Sequence, residues 1–316
     1  MAQTRKPELH KKKSIEKLTK DFLTAKAKEG LKESTLSRYT FIAERHIIPY
    51  FKGANITNLT NDALNAFIRH KLKNGSLKGK ALAPKTTKDI ISLLLQIIRK
   101  HCKFKIDIKK PSPTQNEINV LTETEYNKLK SYLSIGTDSP KLGIIIALLT
   151  GIRLGELCAL KWENIDLETG VIHISKTIQR VKNVDTKAKS KTKIIIDIPK
   201  STASIRTIPL PLILLKILQN FKANPNTYIL TNTKKYIEPR TYQRHFKSYL
   251  SACNIKDNKF HTLRHTFATR AIAKEIDIKT LSILLGHTDV SFTMKTYVHP
   301  NLEHKRSQIE KIAVGF

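Results

Sequence analysis

The amino-acid sequence predicts a mainly α-helical protein with a small antiparallel β-sheet, arranged in two domains. Apolar residues recur at helical spacing over most of the chain, beginning with Ile15, Leu18 and Phe22. Between Gly170 and Leu210 this pattern gives way to alternating β-branched residues, which are typical of strands. The length of 316 residues is sufficient for two domains that each bury an apolar core.

A bundle of four helices is predicted for the first domain, over residues 14–107. Ser14 is a candidate cap for the first helix, because its side chain can accept a hydrogen bond from the first turn. The fourth helix contains the run IISLLLQII, which predicts that it is the most buried of the four. We expect helices over residues 14–30, 34–49, 61–73 and 84–103, preceded by a basic tail over residues 1–13.

A second, larger domain is predicted over residues 121–300. The segment IKKPSPTQNEINV before it is polar, contains prolines and has no helical periodicity, so it predicts a linker over residues 108–120. Thr122 and Glu125 have the spacing of a capping box at a helix start. The segments VIHIS, KIIIDI and SIRTIPL are candidate strands of one antiparallel sheet. A short amphipathic tail follows over residues 301–316.

The strongly basic composition indicates a polyanionic partner, and nucleic acid is the first candidate. The chain has 57 Lys and Arg residues against 26 Asp and Glu residues, a net charge of +31. Residues 1–110 carry 26 basic and 9 acidic residues, and the remainder carries 31 and 17. Because both halves contribute, we expect both domains to contact the polyanion.

Neither a membrane segment nor a disulfide framework is predicted. No apolar run approaches the roughly 18 residues of a membrane helix, and the first residues lack the apolar stretch of a signal peptide. Cys102, Cys158 and Cys253 lie far apart and lack metal-ligand spacing. We therefore expect a cytoplasmic protein, associated with the bacterial nucleoid if DNA is its partner.

Four short segments carry residue types that suit phosphoryl transfer. They read TGIRLGEL from Thr150, PKSTASIRTIPL from Pro199, HTLRHTFAT from His261 and LLGHTDVSFTMKTY from Leu284. Each polar residue in them has an ordinary structural explanation, since a lone tyrosine such as Tyr297 is most often a half-buried core residue. The order and spacing of the whole set are difficult to attribute to chance.

This set of segments resembles the tyrosine recombinases, in particular the integrases of temperate phages and of integrative and conjugative elements. The resemblance covers the second domain, and by position and helix pattern it extends to the first. It implies a tyrosine-recombinase catalytic domain that follows a helical, SAM-like domain for core DNA sites. The implied activity is site-specific DNA recombination through a 3′-phosphotyrosyl intermediate and a Holliday junction.

The resemblance implies that Tyr297 is the nucleophile and that Arg153 and Arg264 stabilise negative charge on the phosphate. A tyrosine hydroxyl has an ordinary pKa of about 10, so it needs this positive field and a nearby base. His261 is the candidate base. His287 is expected to donate a hydrogen bond to a phosphate oxygen.

Two further residues are expected to support this chemistry. Glu156, three positions after Arg153, can orient the guanidinium through a bidentate pair. Lys200 is assigned, by its position in the second segment, as the acid that protonates the departing 5′ hydroxyl. Other lysines of the same hairpin could take that role, although phosphate contacts explain them better: Lys187, Lys189, Lys191 and Lys193.

The resemblance also implies the partners. These are double-stranded DNA at specific core sites, further copies of the chain in a synaptic tetramer, and an accessory factor that bends DNA or promotes excision. No metal or other cofactor is expected, because two fixed guanidiniums can stabilise the charge on the phosphate. No ATP is expected, because the phosphotyrosyl bond conserves the energy of the broken bond. Candidate DNA contacts are Arg38, Lys85, Lys88, Lys189, Lys191, Lys193, Arg240 and Arg244.

Two other interpretations remain open at this point. A type IB topoisomerase shares the chemistry but works as a monomer, so the outcome depends on whether the tail over residues 301–316 docks on a neighbouring protomer or on its own domain. A non-catalytic DNA-binding accessory protein would lack a catalytic residue, and none is missing. Integrases often carry an arm-binding domain before the helical one; here the chain is either part of a longer protein or a recombinase of core sites alone.

Overall fold

The computed structural model of the chain consists of two compact units. It describes residues 13–76, 79–102, 104–112, 118–183, 188, 190–199, 201–297, 306, 309 and 310. The first unit comprises residues 1–116 with 181–193, and the second comprises residues 117–180 with 194–316. The basic tail before Lys13 and most of the C-terminal tail lie outside the described residues.

Four helices form the first unit, as the apolar periodicity predicted. They are α1 (Ile15–Lys28), α2 (Glu33–Ile42), α3 (Asn61–Asn74) and α4 (Pro84–Ile98). The Ser14 hydroxyl accepts a hydrogen bond from the Lys17 N–H at 3.2 Å, which confirms the predicted cap. Eight residues of α4 are buried, against three or four in each of the others, so α4 is the most buried helix, as predicted.

The second helix ends earlier than the prediction of one helix to residue 49. After Ile42 the chain makes a π-helical turn over Ala43–Ile47, in which the Ile48 N–H donates to the Ala43 carbonyl at 2.8 Å. Pro49 has no N–H, so an α-helical hydrogen bond cannot form there. The helix therefore ends through a widened turn.

The second unit is mainly helical. Its helices are α5 (Glu123–Ser134), α6 (Ser139–Thr150), α7 (Leu154–Ala159), α8 (Leu212–Gln219), α9 (Pro239–Ala252), α10 (His261–Ala273), α11 (Ile278–Leu285) and α12 (Val290–Tyr297). The predicted capping box begins α5: the Thr122 hydroxyl accepts from the Glu125 N–H at 3.2 Å, and the Glu125 carboxylate accepts from the Thr122 N–H at 2.9 Å. None of the helices in the described ranges has the length and apolarity of a membrane span.

Two small antiparallel sheets are present, where the sequence predicted one. The strands are β1 (Ile165–Asp166), β2 (Val171–Ile174), β3 (Thr177–Lys182), β4 (Thr192–Asp197) and β5 (Arg206–Pro209). β2 lies between β1 and β5 and pairs with both, so neither of its edges is free for a further strand. β3 and β4 pair with each other and form the second sheet. β3 was not predicted, because its buried residues Ile178 and Val181 are three positions apart rather than two.

α6 packs against α5, α8, α9 and α10. This close packing needs Gly143, since a Cβ there would lie 2.3 Å from the Tyr242 hydroxyl and 2.2 Å from the Leu230 side chain. α6 ends at Gly151, whose φ of +65° is in the left-handed region that favours glycine. This turn brings the chain to Arg153.

Thr122→Ala should lower the free energy of unfolding of the second unit by about 1 kcal/mol, because the hydroxyl that accepts from the first turn of α5 is lost. Urea unfolding of the full chain measures this effect. Thr122→Ser keeps the hydroxyl and is the matched control, which should stay close to the wild type. Equal stability of the wild type and the Ala variant would show that the cap contributes nothing.

Candidate active site

Arg153 lies in the turn between α6 and α7 and is held at three points. Its backbone N–H donates to Glu156 Oε2 at 3.0 Å, and its Nη1 donates to Glu156 Oε1 at 2.7 Å. Its Nη2 donates to the carbonyl of Gly286 at 2.9 Å. The side chain is 32% exposed, so the guanidinium is oriented while part of it remains accessible.

Glu156 joins Arg153 to a second arginine, Arg206 on β5. Its Oε2 accepts from Arg206 Nη2 at 2.9 Å, and the side chains of both residues are almost completely buried. Glu156 therefore does not form the predicted bidentate pair with one guanidinium, because its two oxygens serve two different arginines. Glu156 still orients Arg153, as predicted, and it also binds Arg206.

Arg206 was not among the predicted site residues, although the sequence contains a signal for it. On β5 every second residue is buried, and Arg206 and Ile208 occupy the buried positions. A buried charge needs a buried partner of opposite charge. An arginine at an inward strand position therefore indicated an acidic partner, which the structure identifies as Glu156.

The Glu156 carboxyl is ionised despite its burial. Burial by itself would raise its pKa, but the charges and hydrogen bonds of Arg206 and then Arg153 outweigh that effect. The pKa consequently lies below the ordinary value of 4.5. At neutral pH the two arginines share one negative charge.

Arg264, on α10, is the most buried cation of the site, with 2% of its surface exposed. Its Nη1 donates to the Gly151 carbonyl at 2.9 Å. Its Nη2 donates to the Leu285 carbonyl at 2.6 Å and to Nε2 of His287 at 2.8 Å. Burial, together with the charges of the neighbouring arginines, lowers the pKa of Arg264 to about 9, so it remains a cation at neutral pH.

The three arginines meet at the end of α11. Each donates to a different one of three consecutive carbonyls: Arg206 Nε to Leu284 at 2.7 Å, Arg264 to Leu285 and Arg153 to Gly286. The last carbonyls of a helix have no partner within the helix, and they carry the negative end of its dipole. The end of α11 thus orients all three guanidiniums.

His287 follows Gly286, where α11 ends. Its Nε2 faces Arg264, and a guanidinium can only donate, so Nε2 is the unprotonated nitrogen. Nδ1 therefore carries the proton and donates to the buried Thr293 hydroxyl at 2.8 Å. Burial and the Arg264 charge lower the pKa of His287 to about 3, so the ring is neutral. In this arrangement Nε2 accepts a hydrogen bond, which differs from the predicted donation to a phosphate oxygen.

Tyr297, the last residue of α12, is buried beside Arg264. Its hydroxyl lies 2.8 Å from Nδ1 of His265, the residue after Arg264. Burial raises the pKa of Tyr297, while the charge of Arg264 acts in the opposite direction. The predicted nucleophile and a predicted phosphate-binding arginine are therefore neighbours.

His261, the predicted base, lies one helical turn before His265. The two rings pack edge to face, with centroids 4.5 Å apart. Burial and then the charges of His265 and Arg264 lower the pKa of His261 to about 4. The hydrogen bond between a histidine and the Tyr297 hydroxyl, among the described residues, is made by His265. The sequence signal for His265 was its spacing of four from His261, which places both on one face of α10.

The other predicted site residues were the lysine acid, its alternatives and the DNA contacts. Three lie outside the described residues, namely Lys187, Lys189 and Lys200. Of the predicted DNA contacts, Arg38 pairs with Asp89 and Lys193 pairs with Glu33. The rest are exposed: Lys85, Lys88, Lys191, Arg240 and Arg244.

The net charge of Arg153, Arg206, Arg264 and Glu156 suits the binding of a phosphate. Three guanidiniums and one carboxylate leave an excess of two positive charges, because His261 and His287 are neutral at neutral pH. A phosphodiester carries one negative charge and develops a second as a nucleophile adds to phosphorus. Fixed guanidiniums stabilise that added charge.

Comparison with known families decides the class of the protein. The phage integrase family matches residues 119–304, more than half of the chain. The chain belongs to the phage integrase family. The SAM-like N-terminal domain of phage integrases matches residues 14–72. The predicted family, its fold class and the tyrosine recombinase class of enzyme are thereby confirmed.

Several known tyrosine recombinases and integrases are similar to this chain in sequence. A XerC-like tyrosine recombinase of Caldanaerobacter subterraneus is 30% identical over 215 residues, which are 63% of this chain and 54% of that protein. The tyrosine recombinase XerA of Pyrococcus furiosus is 25% identical, covering 92% of each chain. The ICEBs1 integrase of Bacillus subtilis is 22% identical, covering 86% of this chain and 75% of that one.

Solved integrases share the fold. The Tn1549 transposon integrase, in complex with a circular intermediate DNA, has a TM-score of 0.73 at 20% identity, covering 95% of this chain and 99% of that one. A lambda integrase tetramer bound to a Holliday junction has a TM-score of 0.65 at 20% identity, covering 91% and 78%. Both likenesses support the integrase fold for this chain.

Arg206→Met should destabilise the second unit by about 3–5 kcal/mol, because it leaves the buried Glu156 carboxylate with one cation fewer. Urea unfolding measures the loss. The double variant Glu156→Gln with Arg206→Met removes the unpaired charge and should recover part of it. A loss below about 1 kcal/mol in the single variant would show that the ion pair does not hold the unit together.

The contribution of Glu156 to stability should depend on pH. Its pKa is lower in the folded chain than the ordinary value of 4.5, so ionisation stabilises the fold above that pH, and the gain is lost as the pH falls through the folded value. The difference in unfolding free energy between the wild type and Glu156→Gln should therefore shrink below about pH 4.5. A difference that is constant from pH 7 to pH 3 would contradict this.

Proposed function

We propose that this chain is a site-specific DNA recombinase that cuts and rejoins core sites through a covalent bond between Tyr297 and a 3′ phosphate. The observation that carries the proposal is the position of the Tyr297 hydroxyl, in one cluster with the buried Arg264 and its partner His287. A nucleophile beside fixed positive charge is what phosphoryl transfer to a side chain requires.

In the proposed reaction the Tyr297 oxygen attacks phosphorus and the bond to the 5′ oxygen breaks. Arg153 and Arg264 stabilise the charge on the non-bridging oxygens. The departing 5′ oxygen takes a proton from Lys200, which remains the predicted acid. The phosphotyrosyl bond conserves the energy of the broken bond, so a second 5′ hydroxyl can reverse the step without ATP.

The relatives suggest the biological setting. Two are named tyrosine recombinases, one is the integrase of ICEBs1, and one solved relative is a tetramer on a Holliday junction. We propose that this chain likewise assembles as a tetramer on double-stranded DNA and moves a phage or mobile element. An accessory factor that bends DNA or promotes excision would set the direction of the reaction.

Covalent trapping tests this proposal. The substrate is a library of duplexes with a randomised segment and a nick. After cleavage the short fragment that carries the new 5′ hydroxyl diffuses away. Religation is then prevented, so a protein–DNA adduct accumulates on a recognised site. Tyr297→Phe should reduce the adduct by at least about 1,000-fold, because it lacks the attacking oxygen. Tyr236→Phe changes an exposed tyrosine of the same unit and should leave the yield unchanged. Denaturing gels quantify the adduct, and sequencing its DNA identifies the core site.

The same assay separates the alternative functions. An accessory DNA-binding protein would bind its site without forming an adduct, and that result with the wild type would refute the proposal. A type IB topoisomerase would form the adduct but relax a plasmid as a monomer. The recombinase should instead need two core sites and yield products with exchanged flanking DNA.

A further inference from the structure

His265 is a titratable residue in the cluster to which the sequence assigned no role. It lies between the two predicted groups on α10, next to Arg264 and one turn after His261. Its Nδ1 is 2.8 Å from the hydroxyl oxygen of Tyr297, and the two ring centroids are 5.6 Å apart. His265 thus contacts the atom that attacks phosphorus.

The direction of this hydrogen bond depends on the tautomer of His265. With the proton on Nε2, Nδ1 is unprotonated and the Tyr297 hydroxyl donates to it. In that arrangement Nδ1 can accept the phenolic proton, and the nearby charge of Arg264 favours the ionised tyrosine that results.

The surroundings keep His265 neutral. Burial lowers its pKa below the ordinary 6.5, and the charge of Arg264 lowers it further. Among the described residues, the titratable groups in contact with its ring are His261 on the same helix and Tyr297 on α12. At neutral pH its lone pair is consequently available.

We propose that His265, rather than His261, accepts the proton of Tyr297 during cleavage; this rests on the function proposed above. The Tyr297 O–H bond breaks and its proton moves to Nδ1 while the oxygen forms the bond to phosphorus. The 5′ oxygen leaves and takes a proton from the predicted acid. In religation the 5′ hydroxyl gives its proton back to the group that served as the acid while its oxygen bonds to phosphorus. The bond between phosphorus and the tyrosine oxygen breaks, and the His265 imidazolium returns its proton to that oxygen.

His265→Asn is the sharpest test of this role. Its side-chain oxygen can accept the hydrogen bond of Tyr297 near the position of Nδ1, but an amide cannot hold the proton. In single-turnover cleavage at pH 7 the rate should fall by at least about 100-fold, with DNA binding and melting temperature unchanged. His261→Asn is the matched control one turn away and should reduce the rate by less. A His265→Asn rate within about threefold of the wild type, or a larger loss in His261→Asn, would overturn the proposal.

A substrate with sulfur in place of the 5′ bridging oxygen distinguishes the two proton transfers. A thiolate leaves without an acid, so this substrate should restore a Lys200→Ala variant if that lysine is the acid. It should not restore His265→Asn, because the missing step is at the nucleophile. Full rescue of His265→Asn would show that His265 acts on the leaving group, contrary to the proposal.

The wild-type pH profile tests the proposal without any variant, in case His265→Asn does not fold. With the sulfur substrate, a base of lowered pKa predicts a rate that is nearly constant between pH 7 and 9. Without a base, the tyrosine must ionise first and the rate should rise about tenfold per pH unit over that range. The tenfold rise would overturn the proposal, whereas absence of any wild-type adduct would instead refute the recombinase function.

Discussion

Three consecutive carbonyl oxygens at the end of α11 orient the three arginines of the active site. The arginines come from separate parts of the second unit: the turn before α7, strand β5 and helix α10. Each hydrogen bond from a charged donor contributes on the order of 1.5–3 kcal/mol. The turn at Gly286 fixes where they meet, since its φ is +64° and a Cβ there would lie 3.0 Å from both Arg206 and the Ala203 carbonyl.

Charge is distributed unequally over these arginines. Arg153 and Arg206 share the Glu156 carboxylate, whereas the partners of Arg264 in the described part of the chain are carbonyls and the neutral His287. Carbonyl dipoles fix a guanidinium without neutralising it. Arg264 therefore keeps its full positive charge, whereas Glu156 partly neutralises the charges of Arg153 and Arg206.

The fold class and the candidate residues could be predicted from the sequence, but the contacts between their side chains could not. Helical periodicity and caps such as Thr122 are local, so they could be predicted. His261, Arg264 and Tyr297 could be named because their spacing resembles a known family. The pairing of Glu156 with Arg206 could not, because these residues are fifty positions apart and meet only after β5 forms. The contact of Tyr297 with His265 likewise depends on how α12 packs against α10.

The burial of Tyr297 sets a requirement that positive charge alone does not meet. An unperturbed tyrosine with a pKa of about 10 is ionised to roughly one part in a thousand at pH 7, which corresponds to about 4 kcal/mol. Burial raises the pKa of Tyr297, and the negative charge of a bound phosphate would raise it further. Prior ionisation is therefore an unfavourable route even next to Arg264. A neutral acceptor in contact with the hydroxyl allows the proton to leave as the bond to phosphorus forms, so the phenolate never has to accumulate.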